Sequence, residues 1–232
     1  MTRTYAVTGT SRGIGLELTR QLLQKENTVL ALARNPSGSS ALLQLKETYP
    51  KRLNLFSVDV TSDEQVFNLV KLIEKSGIKL IDVLINNAGT YGEDANLEKL
   101  SLEEVLKTFS TNAVAPMRMI RALLPFLRQS KEPKMISITS QMGSIADNDS
   151  GGFYGYRMSK AALNMFHKSL SLEYPQMTSF VINPGWVKTD MGGPDAPTSP
   201  EESVRGILSV IENAHIKDNG KFFDFEGGEL PW

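Results

Sequence analysis

Tyr156-Arg157-Met158-Ser159-Lys160 sets a phenol and an ammonium four residues apart, which on a helix means one face, one turn apart. A tyrosine ordinarily titrates near pH ~10, too high for easy proton exchange at neutral pH. A neighbouring ammonium favours the phenolate and lowers that value. A phenol tuned in this way can give its proton to a carbonyl oxygen while hydride reaches the carbon. Lys160 can also hold ribose hydroxyls. Taken alone the spacing is common, and on most helices it marks surface or packing residues. Two other residues can join the pair. Ser140 ends a candidate strand and offers a hydroxyl to orient the same carbonyl. Asn112 falls on a candidate helix, where its amide could hold a water that relays protons from Lys160. Singly, each reads more simply as a cap.

A second set of residues has the chemistry of anion binding. Thr8-Gly9-Thr10-Ser11-Arg12-Gly13-Ile14-Gly15 follows an apolar run and precedes a helical one. Gly9 permits a sharp turn, and Gly13 and Gly15 remove side chains where a pyrophosphate would meet a helix N-terminus. The spacing is Gly-x-x-x-Gly-x-Gly rather than Gly-x-Gly-x-x-Gly. The absence of Gly-x-x-x-x-Gly-Lys-Ser/Thr argues against an ATP or GTP phosphate loop. The residue that discriminates the ribose falls about 20 positions on, at the end of the next strand. That strand ends Ala33-Arg34. An acid there would accept from a free 2′-hydroxyl, whereas a guanidinium binds a 2′-phosphate through two donors. With Arg12 as a second cation, the pair favours NADP(H), NAD(H) remaining possible.

Elements that could position these groups follow from periodicity. Strands are predicted at 4–8, 28–33, 53–58, 80–85, 135–139, 180–183 and 221–225. Helical segments lie between them. One carries Ile14, Leu18 and Leu22. Another opens with a capping box at Thr61-Ser62-Asp63-Glu64. A third opens at Ser101 with Glu104, a fourth spans 117–127 with Pro116 in its first turn, and a fifth spans 156–172 with Ala162, Met165, Phe166 and Leu170 on its apolar side. The last opens at Ser199-Pro200-Glu201-Glu202. Alternating strands and helices predict an α/β fold: one doubly wound, mostly parallel sheet of about seven strands with helices on both faces, in a single domain over 1–232. Its ligand should lie beyond the carboxyl ends of the strands. Loops at 143–152 and 191–198 are candidate lids.

Composition closes off other classes. The 232 residues are 41% hydrophobic and 22% charged, with net charge −1 and no cysteine. Disulfides, thiolate metal sites and cysteine nucleophiles are excluded. The charge gives no general attraction to nucleic acid or membrane, no apolar run is long enough to span a bilayer, and no signal-peptide cleavage pattern follows Met1. A cytoplasmic protein is expected. His167 and His215 lack metal-ligand spacing and read as surface or edge residues.

With these motifs in order, the chain resembles the short-chain dehydrogenase/reductase family over essentially its whole length. The resemblance rests on Thr8-Gly9-x-x-x-Gly13-Ile14-Gly15, Asp59-Val60, Asn86-Asn87-Ala88-Gly89, Asn112, Ser140, Tyr156-x-x-x-Lys160 and Pro184-Gly185-x-Val187-x-Thr189. It implies a hydride-transfer enzyme with an Asn112–Ser140–Tyr156–Lys160 tetrad. Asp59 and Val60 would meet adenine, Asn87, Ala88 and Gly89 would line the cofactor, and Asn86 would steady the central strands. Pro184, Gly185, Val187 and Thr189 would lie near the carboxamide and pyrophosphate. Tyr154 is a possible confusion, but only Tyr156 has a lysine four residues on. Within the family the resemblance is closest to sniffer-type carbonyl reductases and C-factor cell-signalling proteins. It implies a small aldehyde, ketone or alcohol as substrate and a homodimer or homotetramer paired through the helices near Pro116 and Tyr156. The alternative it leaves open is a signalling protein that binds NAD(P) with little turnover. Ser140 and Tyr156 stand 16 residues apart, more than is common in the family, with the excess in 145–152 at the substrate mouth. Trp186, Met191, Ile145 and Phe153 are candidate apolar walls, or core.

Overall fold

A computed structural model describes residues 2–232. Seven strands form one sheet: β1 (Thr4–Thr8), β2 (Thr28–Ala33), β3 (Leu53–Ser57), β4 (Val83–Asn86), β5 (Lys134–Ile138), β6 (Thr178–Asn183) and β7 (Phe222–Asp224). The spatial order is β3-β2-β1-β4-β5-β6-β7, with every neighbouring pair parallel. Successive strands alternate with α1 (Gly13–Gln24), α2 (Ser40–Thr48), α3 (Asp63–Lys75), α4 (Leu102–Phe109), α5 (Ala115–Leu127), α6 (Tyr154–Glu173) and α7 (Pro200–Asn213). The order reverses between β1 and β4, which opens a crevice at their carboxyl ends. Among the described residues no helix is long and apolar enough to cross a membrane.

The two-residue side-chain period of each strand builds two cores. Tyr5 and Val7 face α1, α2 and α7, packing with Leu18, Leu22, Leu42, Val204 and Leu208. Ala6 points the other way, toward Leu69 and Ile73 of α3, Met119 and Leu123 of α5, and Leu170 of α6. Burying each such Leu or Ile contributes roughly 1.5–3 kcal/mol.

The structure corrects several expectations. The strand expected at 80–85 starts later, because Asp82 is tied down by accepting from the Thr4 N–H at 2.8 Å and Leu80 remains solvent-facing. The cap of α3 is Ser62, accepting from the Gln65 N–H, not Thr61 with Glu64. No reciprocal arm closes the box at Ser62, because Gln65 turns its Oε1 to accept from the Asp59 N–H. Helix α2, capped by Ser39, was not anticipated; its only fully buried side chain is Leu42, so its apolar signal is short. Helices α4 and α5 run together through a π-helical turn, Ser110–Val114, which carries Asn112. The expected apolar side of α6 is displaced. Met165 is 66% exposed, while His167 and Asn164 are buried. Polar groups line that inner face because each finds a partner: Asn164 accepts from Thr139 Oγ1 at 2.7 Å, and His167 bonds Ser137 and Ser179 at 2.6 and 2.8 Å. His167 is therefore a core residue, contrary to expectation, whereas His215 is exposed as expected.

Candidate active site

The turn after β1 is held by backbone crowding. Gly9 has φ +71° and a Cβ there would lie 2.9 Å from Ala88 Cα; at Gly15 a Cβ would meet the Gly9 carbonyl oxygen at 2.1 Å. The Thr8 hydroxyl accepts from the Asn87 and Ala88 N–H groups, both at 3.0 Å, and Asn87 Nδ2 donates to Thr8 C=O at 2.9 Å. These bonds fasten the ends of β1 and β4 to each other and fix the floor of the crevice. The first helical bond of α1 runs from Leu16 N–H to Arg12 C=O, and no side chain caps this N-terminus. The amides of Gly13, Ile14 and Gly15 therefore point outward at the positive end of the helix dipole, a ready site for an anion.

Around that turn, Arg34 lies exposed at the end of β2, and among the described residues its guanidinium has no hydrogen-bond or ion-pair partner. Arg12 is exposed too and pairs with Asp190 at 3.1 Å. Ser11, half-buried, accepts at its carbonyl from Ser39 Oγ. Asp59 accepts from the Thr61 hydroxyl and N–H, which hold its carboxyl below the usual range, with Arg34 and Arg118 adding to the effect. Val60 is buried beside it. Among the described residues, neither amide atom of buried Asn86 has a hydrogen-bond partner. The loop after β6 closes the other side. Pro184 C=O accepts from Ser203 Oγ at 2.6 Å. Gly185, at φ +78°, leaves room for the Phe225 ring. Val187 is buried and bridges Thr198, and the Thr189 methyl would lie 3.4 Å from a Cβ at Gly13.

At the β4–β5 end the tetrad residues gather. Lys160, 5% exposed, donates from Nζ to Ile138 C=O at 2.8 Å, and Nζ lies 5.6 Å from the Tyr156 ring centroid. Burial lowers its pKa to about 8. Tyr156 is also buried, and burial pushes its phenol up to about 12, with the Ser140 hydroxyl opposing the rise. The expected lowering by Lys160 is not realised, because the site's low polarity disfavours both charges at once. Asn112 is held by Thr90, accepting from its N–H at 2.9 Å and donating to its C=O at 2.8 Å, and donates to Ser159 Oγ at 3.0 Å. Both amide hydrogens are thus committed, so a relay water would have to use the second lone pair of Oδ1. Gly89 leaves open the space where Asn112 Oδ1 and Lys160 Nζ converge, 3.3 and 3.8 Å from its virtual Cβ.

Two residues of this site were missed by the sequence reading. Ser159 links Asn112 to the Tyr156 carbonyl, donating at 2.7 Å. Tyr91 lies with its ring centroid 4.6 Å from that of Tyr156 and 5.1 Å from that of Phe153. Ser159 sits inside the Tyr-x-x-x-Lys spacing, which was the available signal; nothing local marked Tyr91. Of the expected walls, Ile145, Trp186 and Met191 are surface-exposed rather than core, and Phe153 is half-buried at the head of α6.

A parallel sheet with an uncapped glycine turn at its switch point, and a Tyr-Lys pair at the next strand ends, defines a dinucleotide-binding oxidoreductase architecture. The short chain dehydrogenase family model matches residues 3–199, and the chain belongs to that family. It is 47% identical to C-signal of Myxococcus xanthus over 154 residues, 66% of this chain and 93% of that one. Carbonyl reductase Sniffer of D. melanogaster superposes with a TM-score of 0.94 at 32% identity, covering all of both chains. An NADPH-bound carbonyl reductase from chicken fatty liver gives 0.92 at 32%, covering 100% of this chain and 99% of that one.

Proposed function

We propose that the protein is an NADPH-dependent reductase of small aldehydes and ketones, acting in the cytoplasm as one domain over residues 1–232. The observation that carries this reading is the buried Tyr156–Lys160 pair beside Ser140 at the crevice. The uncapped amides of α1, the unpaired Arg34 and the single-partner Lys160 ammonium fit a phosphorylated dinucleotide, each lacking what such a ligand would supply. NADPH, when bound, supplies hydride for the carbonyl carbon. Gly9, Ser11, Gly13, Ile14 and Gly15 cradle its pyrophosphate, Arg34 and Arg12 take the 2′-phosphate, and Asp59 and Val60 meet the adenine. Asn86, Asn87, Ala88 and Gly89 form the floor, with Pro184, Gly185, Val187 and Thr189 on the nicotinamide side. Lys160 holds the ribose hydroxyls. Ser140 orients the substrate carbonyl. Tyr156, protonated at neutral pH, donates to its oxygen, and Asn112 braces the water from which that proton is replaced.

The cofactor assignment has its own test. Replacing Arg34 with Glu puts a carboxylate where a 2′-phosphate would sit, and this should raise the KM for NADPH by ten- to a hundredfold, about 1.4–3 kcal/mol of a charge-assisted contact. The KM for NADH should change little. A variant that keeps its preference for NADPH would reject Arg34 as the discriminator.

The resemblance to C-signal supports a second reading, a signalling protein that works by binding NAD(P). Tyr156, Lys160, Ser140 and Asn112 together weigh against it, because binding alone does not require a proton donor.

The paired-subunit expectation is proposed for the same helices. Met158, Met165 and Leu172 are more than half exposed along one stripe of α6, and Leu102 and Leu106 on α4 and Met117 on α5 are also exposed. A seven-residue apolar repeat on a helix surface suits a partner helix. Light scattering should give a dimer or tetramer that Met165→Glu with Leu172→Glu converts to monomer. A monomeric wild type at micromolar concentration would contradict it.

A further inference from the structure

The turn that carries Ser140, after β5, is held from the adjoining strands β6 and β7. Its first amide, Gln141 N–H, donates to Asn183 Oδ1 at 3.1 Å. Asn183, the last residue of β6, is 6% exposed and donates from Nδ2 to Asp224 Oδ2 at 2.8 Å. The two are register partners across β6 and β7, so their side chains share a face of the sheet. This order of bonds determines the amide's orientation, since the backbone N–H needs an acceptor and the carboxylate needs a donor. The Met142 N–H then donates to Ser140 Oγ at 3.2 Å, aiming the hydroxyl from within the turn. The far side of the turn is pinned as well. Trp232 C=O accepts from Ile145 N–H at 3.0 Å, Ala146 N–H at 2.9 Å and Ser144 Oγ at 3.2 Å, while its ring packs on Phe222 of β7 at 5.7 Å between centroids. Both ends of the 140–146 segment are thereby referenced to the β6–β7 edge.

We infer that Asn183, oriented by Asp224, is a positioning residue that sets the place of the Ser140 hydroxyl for carbonyl reduction. The inference rests on the role proposed for Ser140 above. Asn183 touches neither Tyr156 nor Lys160 in the hydrogen-bond network, so its effect on the reaction runs through the Gln141 amide. Losing that acceptor frees the turn, and misplacement of a reacting group by about 1 Å can lower a rate on the order of a hundredfold.

The test is a double-mutant cycle read in kcat. Asn183→Ala should lower kcat on the order of ten- to a hundredfold, leaving the dissociation constant of NADPH unchanged. In a Ser140→Ala background the same change should have no further effect, because residues that act through one group are not additive. Equal fold-losses in the two backgrounds would overturn the inference while leaving the Ser140 reading intact. Turnover unaffected by Ser140→Ala would instead reject that reading. A second variant separates positioning from folding. Asn183→Asp keeps the acceptor for Gln141 N–H but sets a carboxylate against Asp224, and such a pair retains a shared proton at lower pH. Its kcat relative to wild type should recover as pH falls and the proton replaces Nδ2–H. A pH profile parallel to wild type would contradict the assignment.

Discussion

Replacing Tyr156 with Phe is expected to lower the kcat for carbonyl reduction by about 10²- to 10⁴-fold, the usual contribution of a positioned acid. The ring packs the same space, including its contact with Tyr91 at 4.6 Å, so stability and NADPH affinity should be retained. The remaining rate would come from hydride delivery with solvent water supplying the proton. The pH dependence carries the same logic. Tyr156, raised to about 12, stays protonated across the neutral range and remains available as an acid. Lys160, lowered to about 8, loses its charge as pH rises through that value. Reduction should therefore decline above about pH 8 while the phenol is still loaded. A reduction rate that stays flat from pH 7 to 10 would dissociate Lys160 from the reaction.

The second large effect lies in stability. His167 is fully buried between Ser137 and Ser179, and burial lowers its pKa to about 3. The neutral imidazole suits the site, one ring nitrogen donating and the other accepting. The unfolded chain binds a proton at about 6.5. Between those values the unfolded state holds more protons, so stability is fully present above pH 6.5 and is lost as pH falls toward 3. The whole window amounts to roughly 5 kcal/mol, comparable with the net stability of many domains. From pH 7 to pH 5 the loss should be about 2 kcal/mol from this residue. His167→Gln, which has a donor and an acceptor but does not titrate, should flatten the dependence by that amount in urea unfolding at the two pH values. Equal losses in wild type and variant would remove His167 as the cause.

How much of this was readable from the residues depends on how local the cause is. Strands β1 and β2 match the expected 4–8 and 28–33 because each is an apolar run bounded by turn residues. The glycine turn was readable because the positive φ at Gly9 and Gly13 is a local demand that glycine meets, whereas the crowding that also requires Gly9 comes from distant Ala88. Capping at Ser101 and Ser199 was readable because both partners lie within one turn. What escaped depends on distant partners. The inner face of α6 is polar because Ser137, Thr139 and Ser179 come from strands that periodicity cannot pair with it. His167 therefore read as a surface residue. Tyr91 reached Tyr156 only through the loop that follows β4. The π turn at Asn112 is hidden for a related reason. Its amide bonds to Thr90, 22 residues away, and no helical period announces such a brace. The phenol's pKa also moved against expectation, since a sequence shows the neighbouring charge but not the burial that opposes it.

If hydride passes from NADPH to a carbonyl with Tyr156 as the proton donor, turnover and the Tyr156 hydroxyl must go together. The most direct measurement is NADPH consumption by the wild-type protein over a broad panel of aldehydes and ketones, with Tyr156→Phe run in parallel. At least one carbonyl should be reduced to its alcohol in step with NADPH oxidation, faster than the variant by about two orders of magnitude or more. Wild type no faster than the variant across the whole panel, with NADPH still bound, would contradict it and favour the binding role.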